Sequence, residues 1–252
     1  MDAAKPMQAK TMTFWEHVAE LRTRLLVSAV ALIAGMVACF FFVEPAAQYI
    51  IKPVGTMQFI YLSPPELFMS YVKIALLGGV ILASPVILFQ VWLFVKPGLS
   101  RRERLSLVVG LFFGVAFFAA GAAFSFFVIV PFTIRFFLQY QNESIKAMFS
   151  FSEYISFVSS MVLSFGAAFE LPIVISILAG LGVVTGTGLA RVRGIGILLI
   201  FIAAAIITPP DVVSQILLGV PMMLLFELSI LLAKGQEKRR AKRLALDGEL
   251  EL

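Results

Sequence analysis

Six long stretches of this 252-residue chain contain almost no charge, and this pattern restricts the fold more than any other feature. About 20 apolar residues are enough for a helix to cross a hydrocarbon core of about 30 Å. The chain is 60% hydrophobic and 14% charged, whereas soluble domains average about 25% charged residues, so an integral membrane protein is predicted. The six stretches are 25–43, 74–95, 105–134, 154–190, 194–210 and 212–233.

Each stretch is predicted to form one transmembrane helix, which makes the fold class all-α with six spans. The stretch 154–190 has room for two helices only if it divides at Glu170-Leu171-Pro172 without a loop. A single helix bent at Pro172, with a glycine-rich exit at 180–188, is the simpler interpretation. From Gly194 to Thr208 the chain rises only about 22 Å at 1.5 Å per residue, and helices five and six are predicted to be short.

Lysine and arginine predict the orientation of the helices. With six spans, sixteen of these residues fall on the side of both termini and four on the opposite side. Because basic loops remain in the cytoplasm, both termini are predicted to be cytoplasmic. The four on the opposite side are Lys52, Lys73, Arg135 and Lys146.

Nothing in the sequence divides the chain into separate folding units. It contains no Gly/Ser linker, no low-complexity tract and no convincing repeat. We therefore expect one polytopic membrane domain over 1–252, with a cytoplasmic amphipathic helix within 1–24 and a charged cytoplasmic tail at 234–252.

The composition argues against several classes of function. One histidine and one cysteine cannot supply a metal cluster or a Cys/His nucleophile pair, and no Walker or GxGxxG motif is present. The basic residues are scattered over loops rather than gathered into a patch, so nucleic-acid binding is not expected. The sequence predicts no enzyme activity, no cofactor and no metal site.

Glu170 is the only charged residue between Tyr154 and Ala190. A charge at the centre of a bilayer costs roughly 2.5–3.5 kcal/mol on insertion scales, so its presence needs a reason. It is either a structural carboxyl that bonds a Ser or Gln of a neighbouring helix, or a functional group. As a functional group it would carry protons or contact a bound polar segment, and Pro172 adds polarity by freeing a backbone carbonyl one turn earlier.

Two further carboxylates fall on the predicted cytoplasmic side. Glu20 shares a helix face with His17 and Arg24, and could pair with Arg24 at i, i+4. Glu103 follows the second predicted span and could close a capping box with Ser100. Each acid is therefore either a local structural group or a carboxylate offered to a basic ligand.

Polar residues also occur at the last two predicted helices. Asp211 follows two prolines and is predicted to cap the sixth helix, while Gln215 lies one turn further on. Gln215 could instead hydrogen-bond the transmembrane segment of a partner. Glu227, near the inner end of the sixth span, is predicted to extend toward Lys234.

Several motifs of the chain form a specific combination. They are His17–Leu25, Leu62–Glu66 with Lys73, Ala83–Phe94 leading to Pro97 and Glu103, Tyr154–Phe157, Phe165–Pro172 and Thr208–Gln215. Taken together, these motifs resemble the TatC family, the multi-spanning core of the twin-arginine protein translocase, and the resemblance covers roughly 14–232.

The resemblance implies a cup-shaped bundle of six helices in the bacterial inner membrane, with Glu170 on its concave side. It also implies a receptor for the twin-arginine signal peptides of folded proteins, whose export uses the proton gradient. Glu20 and Glu103 would contact the paired arginines, with Arg22 and Phe94 close to that site.

The same resemblance implies partners within the membrane. Helices five and six match the region where the single-span proteins TatA and TatB pack, and Gln215 and Asp211 are the candidate contacts there. Self-association and contact with lipid are also expected.

A proton-coupled small-molecule secondary transporter that uses Glu170 is the alternative function. The sequence contains neither an inverted repeat nor a pair of broken helices, and such transporters commonly have both. The transporter is therefore the less favoured of the two hypotheses.

Overall fold

The computed structural model describes residues 14–55, 58–95, 101–140, 148–208 and 212–249, with the backbone alone at 14, 95, 101–109, 240 and 242–249. Nearly all of the described chain is helical. The helices are α1 (Phe14–Phe40), α2 (Val43–Ile51), α3 (Pro64–Val95), α4 (Arg101–Phe124), α5 (Val130–Leu138), α6 (Phe151–Phe169), α7 (Leu171–Leu181), α8 (Gly186–Arg191), α9 (Arg193–Ile207) and α10 (Val212–Glu249).

Five helical segments are long and apolar enough to cross a membrane. Two of them are composite, because α4 runs through a π-helical turn at Ser125–Ile129 into α5, and α6 continues into α7. The 15-residue apolar helix α9 is the sixth. A helix pairs its own backbone N–H and C=O groups, so it can cross a hydrocarbon core that offers them no hydrogen-bond partner. The predicted all-α membrane fold is confirmed, and the five long segments together with α9 correspond to the six apolar helices that the sequence predicts.

The long fourth span, which was predicted to bend at Pro172, is interrupted at Glu170. Helix α6 ends at Phe169 and α7 begins at Leu171, with Pro172 in its first turn. The carbonyl of Glu170 accepts hydrogen bonds from the amides of Ile173 and Val174, at 3.0 and 2.9 Å. Proline has no N–H to donate, so the regular hydrogen-bond pattern is interrupted here and resumes in α7.

Helix α7 ends at a glycine, as the predicted exit requires. Gly182 has φ +76°, a left-handed conformation that side chains disfavour. The segment that joins α7 to α9 contains a short helix, α8. Its N-cap Thr185 accepts a hydrogen bond from the amide of Gly188.

The prediction of a short sixth helix is wrong, because α10 continues for 38 residues to Glu249. Its charged end is rich in Lys, Arg, Glu, Ala and Leu, which favour helix, so the backbone does not stop where the apolar stretch stops. The predicted partner of Glu227 is also wrong. Arg193, at the start of α9, pairs with Glu227 at 2.6 Å, while the backbone of Lys234 packs against Gly186.

A two-stranded parallel sheet joins the two long loops that precede α3 and α6. The distribution of lysine and arginine predicts that these loops are external, and we call them the external loops. Strand β1 (Phe59–Ile60) pairs with β2 (Phe149–Ser150), with Phe59 opposite Phe149. Strands of two residues carry no periodic pattern, so the sequence did not predict them. They lie directly before α3 and α6 and tie the external ends of those two helices together.

Helix α6 lies at the centre of the bundle. Its Ile155, Met161 and Phe165 are fully buried, and it packs against α3, α4 and α10. Helices α1 and α3 also approach each other closely, with glycine on both sides of the contact. A Cβ atom on Gly79 would lie 2.7 Å from the backbone nitrogen of Met36, and one on Gly35 would lie 2.9 Å from the carbonyl of Gly79. Small residues allow such backbone contact between helices in lipid.

We predict that Gly79→Ala destabilises the protein in detergent, because the added methyl group meets the backbone of α1. Overpacking of this kind typically costs about 1–3 kcal/mol. The measurement is the midpoint of thermal unfolding. Gly180→Ala is the matched control, since a Cβ at Gly180 has nothing within 4 Å and the gain in helix propensity is the same. Equal midpoints for the two variants would contradict the prediction.

Candidate functional site

A cluster of polar side chains joins the start of α1 to the end of α3. Glu20 pairs with Arg24, with 3.0 Å between Oε1 and Nη2, as the i, i+4 spacing predicted. The other Arg24 nitrogen, Nη1, donates to Oε1 of Gln90 at 3.3 Å. The Glu20 side chain is only 13% exposed, and within the described ranges its Oε2 has no hydrogen-bond partner. One of the two carboxylate oxygens is therefore uncommitted.

Aromatic stacking brings Phe94 to the same place. The rings of His17 and Phe94 are 4.2 Å apart and nearly parallel. Phe94 lies one turn beyond Gln90 on α3, and His17 lies one turn before Glu20 on α1. We call the group formed by His17, Glu20, Arg24, Gln90 and Phe94 the polar corner.

Arg22 and Glu103, the other two residues predicted to bind the signal peptide, are not part of the polar corner. Arg22 is exposed and lies about 200° around the helix from Glu20, so Arg24 rather than Arg22 contacts the acid. Glu103 lies in the first turn of α4, whose backbone begins at Arg101, soon after α3 ends at Val95. It therefore belongs to the same end of the bundle, but its side chain lies outside the described part of the chain.

The sequence did not single out Gln90 as a site residue. It is the only amide side chain in the stretch 74–95, and it is buried. A buried amide in a span requires a hydrogen-bond partner, and here the partner is Arg24. This single amide in a largely apolar stretch was the signal available in the sequence.

Glu170 faces α3 and α4 rather than a polar neighbour. Its carboxylate lies against Gly114, where an added Cβ would be 3.2 Å from Oε2 and 3.7 Å from the methyl group of Leu88. Across the described residues, Oε1 is buried and accepts no hydrogen bond. The Ser or Gln partner that a purely structural role would need is not found there.

Gln215 and Asp211 were predicted to contact partner helices, and the structure describes only Gln215. Gln215 is half-buried, and its Nε2 donates to the carbonyl of Phe201 at 3.0 Å, which links α10 to α9. Asp211 lies outside the described residues. The amide nitrogen of Gln215 thus already has an acceptor within the chain.

A second polar cluster fixes the external loops. Glu66 accepts from the backbone amide of Leu62 at 2.7 Å and from the hydroxyl of Ser150 at 2.6 Å. Lys73, two turns along α3, donates to the hydroxyl of Ser156 at 2.7 Å. Because Leu62 lies just after β1 and Ser150 belongs to β2, Glu66 ties both strands to the start of α3.

The described part of the chain contains no candidate metal site, because no three of its His, Cys, Asp or Glu residues lie close enough together to hold an ion.

Comparison with known proteins shows which family the chain resembles. A sequence model of the family Sec-independent protein translocase protein (TatC) matches residues 16–221. The chain belongs to the TatC family. It is 40% identical over 232 residues to TatC of Desulforapulum autotrophicum, covering 90% of this chain and 86% of that one. It is 41% identical over 219 residues to TatC of Helicobacter pylori strain 26695, covering 86% of each.

The fold agrees with this assignment. A crystal structure of a twin-arginine translocase receptor TatC superposes with a TM-score of 0.81 at 37% identity, over 87% of this chain and 99% of that one. The chain is therefore a component of the Sec-independent translocase and a multi-pass membrane protein.

We predict that Glu66→Ala loosens the external loops, because Leu62 N–H and Ser150 O–H lose their common acceptor. Hydrogen exchange at 58–62 and 148–152 should become faster, while exchange in α10 stays unchanged. Glu153→Ala is the control, since Glu153 is an exposed acid of the same region whose carboxylate accepts no hydrogen bond within the described chain. Equal exchange in both variants would show that Glu66 does not hold the loops.

Proposed function

We propose that this protein is the receptor and scaffold subunit of the twin-arginine translocase in the bacterial inner membrane. It binds twin-arginine signal peptides of folded proteins at the cytoplasmic end of the bundle, through Glu20 and Glu103. Both termini lie in the cytoplasm, as the distribution of lysine and arginine predicts. The observation that carries the proposal is the polar corner, where a carboxylate oxygen remains uncommitted beside an aromatic ring.

The chemistry of the polar corner suits a guanidinium group. Glu20 already accepts a hydrogen bond from the guanidinium of Arg24, so an arginine side chain fits this carboxylate. A planar guanidinium can bind a carboxylate through two parallel N–H donors, which an ammonium cannot do. The nearby ring of Phe94 offers a face against which an incoming guanidinium can stack.

A pair of arginines requires a second acid. Glu103 is the candidate, because α4 starts at the end of the bundle where α3 and the polar corner lie. The exposed Arg22 lies on the opposite face of α1 from Glu20, so its proposed role is to position a flanking part of the peptide and not to contact the acid.

We predict that a twin-arginine peptide binds the purified protein in lipid nanodiscs from the cytoplasmic side. Glu20→Gln or Glu103→Gln should each weaken binding by about 10- to 100-fold, since a charge-assisted hydrogen bond contributes about 1.5–3 kcal/mol. The measurement is a titration with fluorescently labelled peptide. A peptide with both arginines replaced by lysine should bind the unaltered protein less tightly.

Glu44→Gln is the matched control for this titration. Glu44 is an exposed acid in the first turn of α2, just beyond the end of α1 that lies away from the polar corner, so its removal changes the net charge equally without touching that corner. The docking site is refuted if the arginine and lysine peptides bind equally, or if Glu44→Gln weakens binding as much as Glu20→Gln.

Glu170 acts after docking in this proposal. Its carboxylate lies inside the membrane between α4 and α3 with an uncommitted oxygen, so it can meet a polar segment of the cargo signal or take up a proton. Because Gly114 has no side chain, the carboxylate can lie directly against α4.

We predict that Glu170→Gln keeps peptide binding within about twofold but lowers export of a twin-arginine reporter at least tenfold, because a binding group that acts later in transport is lost. Glutamine has nearly the same size, so folding is preserved, which elution as a single species in detergent would verify. Unimpaired export by this variant would exclude a role for the carboxyl in transport.

Partner subunits of the TatA and TatB type are proposed to pack on α9 and α10, and self-association is proposed as well. The 15-residue α9 exposes much of its apolar surface, including Leu198, Leu199 and Ile206. Gln215 joins α9 to α10 beneath this surface, and its carbonyl oxygen is the group offered to a partner helix. Asp211 precedes α10 at the same end.

A further inference from the structure

A cavity on the side of the external loops has a composition unlike the rest of the membrane surface. It has a volume of about 500 Å³ and lies where the turn after α2 meets the π-helical turn and α5. Two cations, Lys52 and Arg135, line it together with the aromatic rings of Phe127 and Phe132. Among its lining residues in the described chain, none is acidic.

These two cations occupy positions where the topology disfavours them. Only four basic residues fall on this side of the membrane, against sixteen on the other. Lys73 is bound to the hydroxyls of Ser152 and Ser156, and Lys146 lies outside the described residues. The two that remain line the same cavity, and within the described chain neither forms an ion pair. Lys52 lies over the ring of Tyr49 at 5.2 Å.

The depth of the lining residues matches that of a lipid at the interface. Arg135 lies near the end of the third span, and Val128 lies seven residues earlier, about 10 Å deeper along the helix axis. Phe127, Val128 and Phe132 are 49–61% exposed, so the apolar part of the cavity opens toward hydrocarbon. A charged group at the Arg135 level and acyl chains at the Val128 level would both be accommodated.

The shape of the cavity follows from the helix that borders it. Pro131 has no N–H to donate to the carbonyl four residues earlier, and the π-helical turn Ser125–Ile129 lies directly before it. Such turns displace side chains from the regular helix surface and are frequent at functional sites.

We propose that this cavity binds one anionic glycerophospholipid of the leaflet next to the external loops. The phosphate lies between Lys52 and Arg135, and the acyl chains lie along Phe127, Val128 and Phe132. Lysine and arginine attract anionic headgroups at a membrane surface, and the two together should enrich such a lipid on the order of tenfold over a zwitterionic one. The proposal does not depend on the function proposed above.

The test uses the full chain with Cys39→Ser and Val128→Cys, labelled with bimane at the new thiol. It is reconstituted in phosphatidylcholine vesicles that contain a small, equal fraction of either brominated phosphatidylglycerol or brominated phosphatidylcholine. We expect clearly stronger quenching by the brominated phosphatidylglycerol. Lys52→Gln with Arg135→Gln should abolish this difference, while Lys238→Gln with Arg239→Gln, which removes two exposed cations from the end of α10, should preserve it.

Quenching by brominated phosphatidylcholine also reports that each variant is inserted, because it should be the same in all of them. Equal quenching by both lipids in the unaltered cavity would overturn the proposal. Loss of the phosphatidylglycerol preference on addition of millimolar glycerol 3-phosphate would also overturn it, because the site would then be one for soluble phosphate. Loss of the preference in the α10 control would mean that net charge, not the cavity, selects the lipid.

Discussion

Hydrocarbon offers no hydrogen-bond partner, and the placement of polar side chains in this structure follows from that constraint. Lys73 bonds two serines of α6, Gln215 bonds a backbone carbonyl of α9, and Arg24 bonds Gln90. Each of these bonds joins two helices, so satisfying the polar group also fixes how the helices pack. Glu170 is different, since its Oε1 has no such partner in the described chain.

The close approach of α1 and α3 determines where the polar corner forms. Gly35, five residues before the end of α1, meets Gly79 at the middle of α3. From Gly35 back to His17 is about 27 Å, and from Gly79 forward to Phe94 is about 22 Å, at 1.5 Å per residue, a difference of about one helical turn. The two rings therefore come to the same end of the helix pair, where they stack. A change in the glycine contact would shift this register and separate Arg24 from Gln90.

The spans, the interruption at Glu170 and the Glu20–Arg24 pair were predictable, because each depends on hydropathy or on spacing within one helix. The helical tail of α10 and the Arg193–Glu227 pair were not, since the first depends on weak local propensity and the second on which helices pack together. The two-residue strands carry no pattern of their own. The Gln90–Arg24 bond joins residues 66 apart, so spacing could not reveal it.

The Glu20–Arg24 pair bears on how a receptor of the proposed kind could prefer arginine. Burying a lone carboxylate is costly, so an acid that waits for a ligand must be stabilised in the meantime. Arg24 does this with a single N–H contact and is itself held by Gln90, and among the described residues the other carboxylate oxygen has no partner. An arriving guanidinium then adds to a carboxylate already oriented for such a group. An ammonium, which is more strongly hydrated and lacks the planar fork, would lose more water for fewer aligned bonds.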